Sequence, residues 1–136
     1  MSTITVEQDI HAPLEKVWSY YNEPQHITTW NAASADWHTP EATNDLRVGG
    51  TFNYRMEAKD GSQGFDLVGT YNEIVPDKKI AYTMGDGRKV SVEFSQKEGA
   101  VHITVTFDAE KINSLEMQRN GWQSILNNFK NYAESH

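Results

Sequence analysis

The 136-residue chain contains no cysteine, which excludes a disulfide framework, a thiolate nucleophile and a thiolate metal site. Redox chemistry at sulfur is left to methionine. Positive charge is scarce: twelve Lys and Arg stand against nineteen Asp and Glu, a net charge of −7, and no stretch gathers the basic residues into a patch able to neutralise phosphates. Nucleic acid is not an expected partner, and the acidic balance serves mainly solubility. No apolar run approaches the roughly 20 residues of a membrane span, and Met1-Ser-Thr-Ile-Thr-Val has neither a basic n-region nor an apolar h-region. The expectation is a soluble, cytoplasmic protein without membrane association. Catalytic signatures are also missing. The histidines His11, His26, His38, His102 and His136 are scattered, with no His-Glu-x-x-His and no i, i+4 ligand pair, so neither a metal nor another cofactor is called for. His26, Asp36 and His38 are the one set that could meet. There is no Gly-x-Ser-x-Gly, and Gly49-Gly50 and Gly85-Asp86-Gly87-Arg88 lie between strands and fit no phosphate loop.

What is present reads as a single-domain α+β chain. Thr3 to Ile10 alternates apolar and polar residues as a half-buried strand does. Ala12-Pro13 opens a short helix whose buried face is Leu14, Val17, Trp18 and Tyr21, and Glu23-Pro24 opens a second that ends near Trp30. From Asp36 to residue 113 the chain shows only strands between turns, at Val48-Gly49-Gly50, Lys59-Asp60-Gly61, Pro76-Asp77, Gly85-Asp86-Gly87 and Lys97-Glu98-Gly99. Phe52, Tyr54 and Met56 alternate with polar neighbours, as do Ile80, Tyr82 and Met84, then Val90, Val92 and Phe94, then Val101, Ile103, Val105 and Phe107. From Ser114 to Ser135, Leu115, Trp122, Ile125, Leu126, Phe129 and Tyr132 keep helical spacing. The predicted order is β-αα-β6-α, with a helix of roughly 30 Å lying across a curved antiparallel sheet and able to leave a hollow beneath it.

Several segments carry a family resemblance: Ala12-Pro13-Leu14-Glu15-Lys16-Val17-Trp18, the lone Trp30, Asp45-Leu46-Arg47-Val48-Gly49-Gly50-Thr51-Phe52, Gly69 to Pro76, and Gly121 to Leu126. In this order they resemble the START-like helix-grip (SRPBCC) superfamily, and more closely the family similar to the C-terminal domain of the heat-shock-protein-90 ATPase activator. The resemblance implies a sheet gripping the long helix around an apolar cavity. It also implies lipid-, hormone- or cyclase-type relatives and, through the family name, contact with a chaperone ATPase. The chain matches only the C-terminal-type module of the eukaryotic activator. Fold alone does not assign chemistry.

The candidate site is an aromatic set on segments expected to face the concave side. Trp30, Phe52, Tyr54, Phe65, Tyr71, Tyr82, Met84 and Trp122 are the expected ligand contacts, with tyrosine hydroxyls orienting the ligand. Trp18, Phe94, Phe107 and Phe129 are expected to be plain core. Arg47, Arg55, Arg88 and Arg119 are expected to be solvated. A dry void of about 300 Å³ would cost roughly 7 kcal/mol at about 24 cal/mol per Å³, against a domain stability of about 5 to 15 kcal/mol, so a hollow of that size must hold water or ligand. The leading expectation is binding of a small apolar or aromatic ligand. The alternatives are an interaction protein acting on a chaperone ATPase, and a cyclase- or dehydratase-type enzyme using His38, Tyr54, Tyr71 or Tyr82. A homodimer through a sheet edge or loops is compatible with the sequence.

Overall fold

The computed structural model describes residues 2–136. Its elements follow the predicted order: β1 (Thr3–Ile10), α1 (Leu14–Asn22), α2 (Pro24–Trp30), β2 (Trp37–Asn44), β3 (Thr51–Ala58), β4 (Gly64–Val75), β5 (Lys79–Met84), β6 (Lys89–Lys97), β7 (Ala100–Asp108) and α3 (Leu115–Ser135). All seven strands form one antiparallel sheet in the order β1-β7-β6-β5-β4-β3-β2. The first and second strands in sequence are therefore its two outer strands. Joining them means crossing the open side of the curled sheet, and α1 and α2 make that crossing. This is why a helix pair interrupts the meander.

Local chemistry accounts for the boundaries. Pro24 occupies the start of α2, where the missing N–H costs nothing. At α1 the proline sits one position earlier than expected: Pro13 is the N-cap residue, extended at ψ 145°, and the helix begins at Leu14. Ser114 caps α3, its Oγ accepting from the Met117 N–H at 3.1 Å. The β6–β7 hairpin turns at Gly99 with φ 74°, a left-handed conformation that costs a glycine little. On the outer strand β2, Pro40 offers no N–H, and the pairing with β3 slips between His38 and Glu41.

The packing is asymmetric. α3 rests chiefly on β1 and against the two short helices. Ile4, Val6 and Ile10 of β1 join Val92 of β6, Val101 and Ile103 of β7, and Phe129 and Ala133 of α3 in a fully closed core. Phe94 and Phe107 are core as expected, and Trp18 packs edge-on against Phe94. The face of β3, β4 and β5 lies farther from the helix, and there the core opens. A curled antiparallel sheet holding one long C-terminal helix is the helix-grip arrangement that the sequence implied.

Candidate functional site

A partly open cavity of about 90 Å³ lies between α3 and β3–β5. Six of the eight predicted contact residues meet around it: Trp30 from α2, Phe52 and Tyr54 from β3, Tyr71 from β4, Tyr82 from β5 and Trp122 from α3. Phe52 is the hub. Its ring lies 4.6 Å from that of Tyr54, 4.8 Å from Tyr82 in an edge-on contact, and 5.6 Å from Tyr71. Gly69, directly opposite Phe52 in the β3–β4 pairing, makes this possible: a Cβ there would sit 2.5 Å from the Phe52 Cζ. Trp30 is anchored by its indole N–H donating to the Tyr20 carbonyl at 2.9 Å, and it packs edge-on against Phe129.

The polar lining is specific. The Tyr71 hydroxyl donates to Asn44 Oδ1 at 2.6 Å, and Asn44 Nδ2 donates to the Asn22 carbonyl at 2.7 Å, a chain that ties β4 to β2 and to the end of α1. Asn22 spends its amide hydrogens on the Trp18 carbonyl and Asn31 directs its own at Thr39 Oγ1, so the Oδ1 atoms of both have no protein donor among the described residues. The Tyr21 and Tyr82 hydroxyls likewise have no protein partner there, while every sealed buried side-chain polar atom has one. These four groups therefore border open space rather than packed atoms. Burial pushes the Tyr71 hydroxyl up to about 12, with the Asn44 hydrogen bond pulling the other way. Burial also holds Tyr21, Tyr54 and Tyr82 well above the usual phenol range, and neighbouring phenols add to it. At neutral pH all four remain protonated. Protonated, each can donate a hydrogen bond, as Tyr71 does to Asn44.

Two predicted contacts lie elsewhere. Phe65 pairs with Met56 at the far end of the β3–β4 hairpin and is 47 % exposed, so it lines an outer groove of about 300 Å³ with Trp37, Met56 and Met117. Strand alternation placed it on the correct face, but the curl of the sheet carries that end past the cavity. Met84 is buried in the core at the end of β5, where its N–H donates to the Arg88 carbonyl at 2.7 Å to close the hairpin, beyond the cavity wall. The three-residue set also separates. His26 Nδ1 pairs with the Tyr132 hydroxyl at 2.7 Å, His38 faces Glu57 at 4.0 Å on β2, and Asp36 is exposed in the loop before it. No group of three metal-ligating side chains forms among the described residues. His38 is not in the cavity wall, and Arg47, Arg55 and Arg88 pair with neighbouring carboxylates while Arg119 is exposed.

The wall also contains residues absent from the predicted set. Tyr21 reads from spacing as the core face of α1, and its ring does pack between Trp30, Phe94 and Phe129, yet its hydroxyl end reaches the cavity. Asn22 and Asn31 end α1 and α2, where an amide usually reads as a helix stop. Their burial, at 5 % and 6 % exposed, was the missing signal. A dry cavity of this size would cost about 2 kcal/mol, which a domain can bear, and its free polar atoms suit ordered water.

Comparison with known proteins supplies the lineage. An AHSA1-like protein from Aeromonas hydrophila superposes with a TM-score of 0.92 at 44 % identity, covering 98 % of this chain and 93 % of that one. A protein from Cytophaga hutchinsonii is 50 % identical with a TM-score of 0.85, over 98 % and 92 % of the two chains. The Aha1 dimer of Colwellia psychrerythraea, at 16 % identity and a TM-score of 0.77 over 98 % and 97 %, shares the fold. No curated protein matches the chain. Residues 11–134 match the family described as Activator of Hsp90 ATPase homolog 1-like protein, and with nearly the whole chain inside that match, this protein belongs to that family.

Proposed function

We propose that this protein binds a small apolar or aromatic molecule between the sheet and α3. The supporting observation is the convergence of Trp30, Phe52, Tyr54, Tyr71, Tyr82 and Trp122 on one partly open cavity, whose wall also includes residues with unpartnered tyrosine hydroxyls and asparagine oxygens. Such a space combines a predominantly apolar wall with a few placed polar groups, as small-molecule sites do. The test is a two-dimensional NMR titration with indole, with native mass spectrometry of the gently purified protein beside it. The expected result is a set of saturable shifts at Trp30, Tyr54 and Tyr71. Absence of those shifts at millimolar indole, together with a bare mass, rejects the reading.

The family description favours a second reading, contact with an Hsp90-type ATPase. An ATPase assay with the purified chaperone decides it: stimulation at micromolar protein supports it, and an unchanged rate ends it. The dimeric Colwellia relative motivates a measurement of self-association by sedimentation. A single monomer boundary at 100 µM would reject a homodimer.

A further inference from the structure

We propose that the outer groove and the inner cavity are two compartments of one site divided by the Trp122 side chain, and that its ligand is an uncharged ring compound, longer than the cavity, with a carbonyl or hydroxyl at the tyrosine end. This rests on the ligand-binding reading above. The argument begins with size. The cavity, at about 90 Å³, is smaller than the roughly 150 Å³ void that accepts a single benzene ring, so an aromatic ligand needs a wall to move. Most of the wall is held. Trp30 and Tyr71 are hydrogen-bonded, Phe52 is wedged among three tyrosines, and Ile80, Val105 and Leu126 are at most 3 % exposed.

Trp122 is different. It is half-buried, its indole N–H has no protein acceptor among the described residues, and its one aromatic contact is a flat stack on Phe107 at 3.9 Å. Trp122 and Ile125 line both the cavity and the groove, so the indole stands between them. The preceding residue, Gly121, opens on the groove, and a Cβ there would meet nothing within 4 Å. Turning the indole off Phe107 joins the compartments into a space within the usual range of small-molecule sites.

Charge then selects the ligand. No Lys, Arg or His lines either compartment among the described residues, and Glu110 stands at the groove. Arg88, whose charge reaches Tyr82, is held by Asp86 at 2.8 Å. A carboxylate inside would be desolvated without a counter-charge. The inner polar groups offer phenol donors and amide acceptors, which satisfy a carbonyl or a hydroxyl.

The experiment compares 2-acetylnaphthalene with 2-naphthoate, two ligands of one shape that differ in charge, at pH 7.5 by NMR and calorimetry. The ketone is expected to bind at least roughly tenfold tighter. It should shift Phe65 and Met117 in the groove, Tyr54 and Tyr71 in the cavity, and the Trp122 indole N–H signal. Tyr82→Phe and Tyr21→Phe, each checked for a native spectrum, should lower ketone affinity by roughly three- to tenfold, and Trp122→Phe should speed association several-fold. Equal or tighter binding of the naphthoate overturns the charge selection. Ketone shifts confined to the groove, or cavity shifts with the Trp122 signal unmoved, overturn the two-compartment site even where indole still binds. Failure of both indole and ketone to shift the cavity removes the ligand-binding reading itself.

Discussion

The two halves of the sheet carry the same alternation of apolar and polar residues and yet build different interiors. On β1, β6 and β7 the inward residues include Ile4, Val6, Val92, Val101 and Ile103, all at most 3 % exposed and closed against Phe129 and Ala133 of the helix, with Phe94 and Phe107 buried beside them. On β3, β4 and β5 they include Phe52, Tyr54, Tyr71 and Tyr82, which meet ring to ring around a hollow beside Leu67 and Ile80. Branched aliphatic side chains are short and have no polar atom to satisfy, so helix and sheet can close on them. Tyrosines are long, and each brings a hydroxyl that needs a partner, so the helix stands off and the space between fills with polar tips. A period of two assigns a face. The kind of side chain on that face decides whether it becomes core or container.

Five substitutions sharpen this contrast. Phe129→Ala strikes the closed half: the ring is fully buried and edge-on to both Tyr21 and Trp30, and its removal should cost about 3 to 5 kcal/mol by urea denaturation. A loss below about 2 kcal/mol would show that this half is not close-packed. Gly69→Ala strikes the open half by crowding. The new methyl would occupy the space of the Phe52 ring, so the cost should be about 1 to 3 kcal/mol, with the displaced ring narrowing the cavity and weakening indole binding. An unchanged melt would mean that Phe52 is free to move.

Trp122→Ala should cost less than a core tryptophan, about 1 to 2 kcal/mol, because the residue is half-buried and water or ligand can enter the vacated space. Its main packing loss is the stack on Phe107, worth about 0.5 to 1.5 kcal/mol. A loss of 3 kcal/mol or more with unaltered ligand binding would make it core. The smallest effects are those of pH at the rim of the closed half. Glu134 accepts from Lys130 Nζ at 2.8 Å and from the His11 backbone, which lowers its carboxyl from 4.5 to about 2. A lowered folded-state value stabilises above the unfolded value, so its contribution is complete above pH 4.5 and is lost as the pH falls towards 2. Glu134→Gln should flatten the acid limb. His102, between Asp9 at 2.6 Å and Glu7 at 2.9 Å, is raised above 6.5, mainly by its hydrogen bond to Glu7. Its contribution is complete below pH 6.5 and disappears as the pH rises through the folded-state value, a slope that His102→Gln should remove.

Element order, helix spacing and the concave face were all readable in the sequence, because alternation, capping residues and glycine turns are local signals. The long helix was read to within its cap: Ser114 proved to be the N-cap rather than the first helical residue. Position along the sheet was not readable. Phe65 and Met84 have the right parity, but where a strand end falls relative to the helix depends on how the whole sheet curls, which no window of residues encodes. The asparagines were invisible for another reason. Asn22 and Asn31 follow apolar helical runs as ordinary stop signals, and only the crossing of α1 and α2 over the open sheet turns their side chains into the cavity wall.

The slipped pairing and Pro40 on β2 bear on how copies of this protein meet one another. An outer strand is a template for another extended chain only while its donors and acceptors repeat without a break. On β2 that repeat is broken, by a residue with no N–H and by the shift between His38 and Glu41. β1, by contrast, runs all eight of its residues in unbroken register with β7. The sheet therefore has one end blunted by a break in its repeat and one end covered by the helix, where Gln123 Nε2 donates to the Glu7 carbonyl at 3.0 Å and Lys130 Nζ to the Asp9 carbonyl at 2.6 Å, so neither outer strand offers an uninterrupted template.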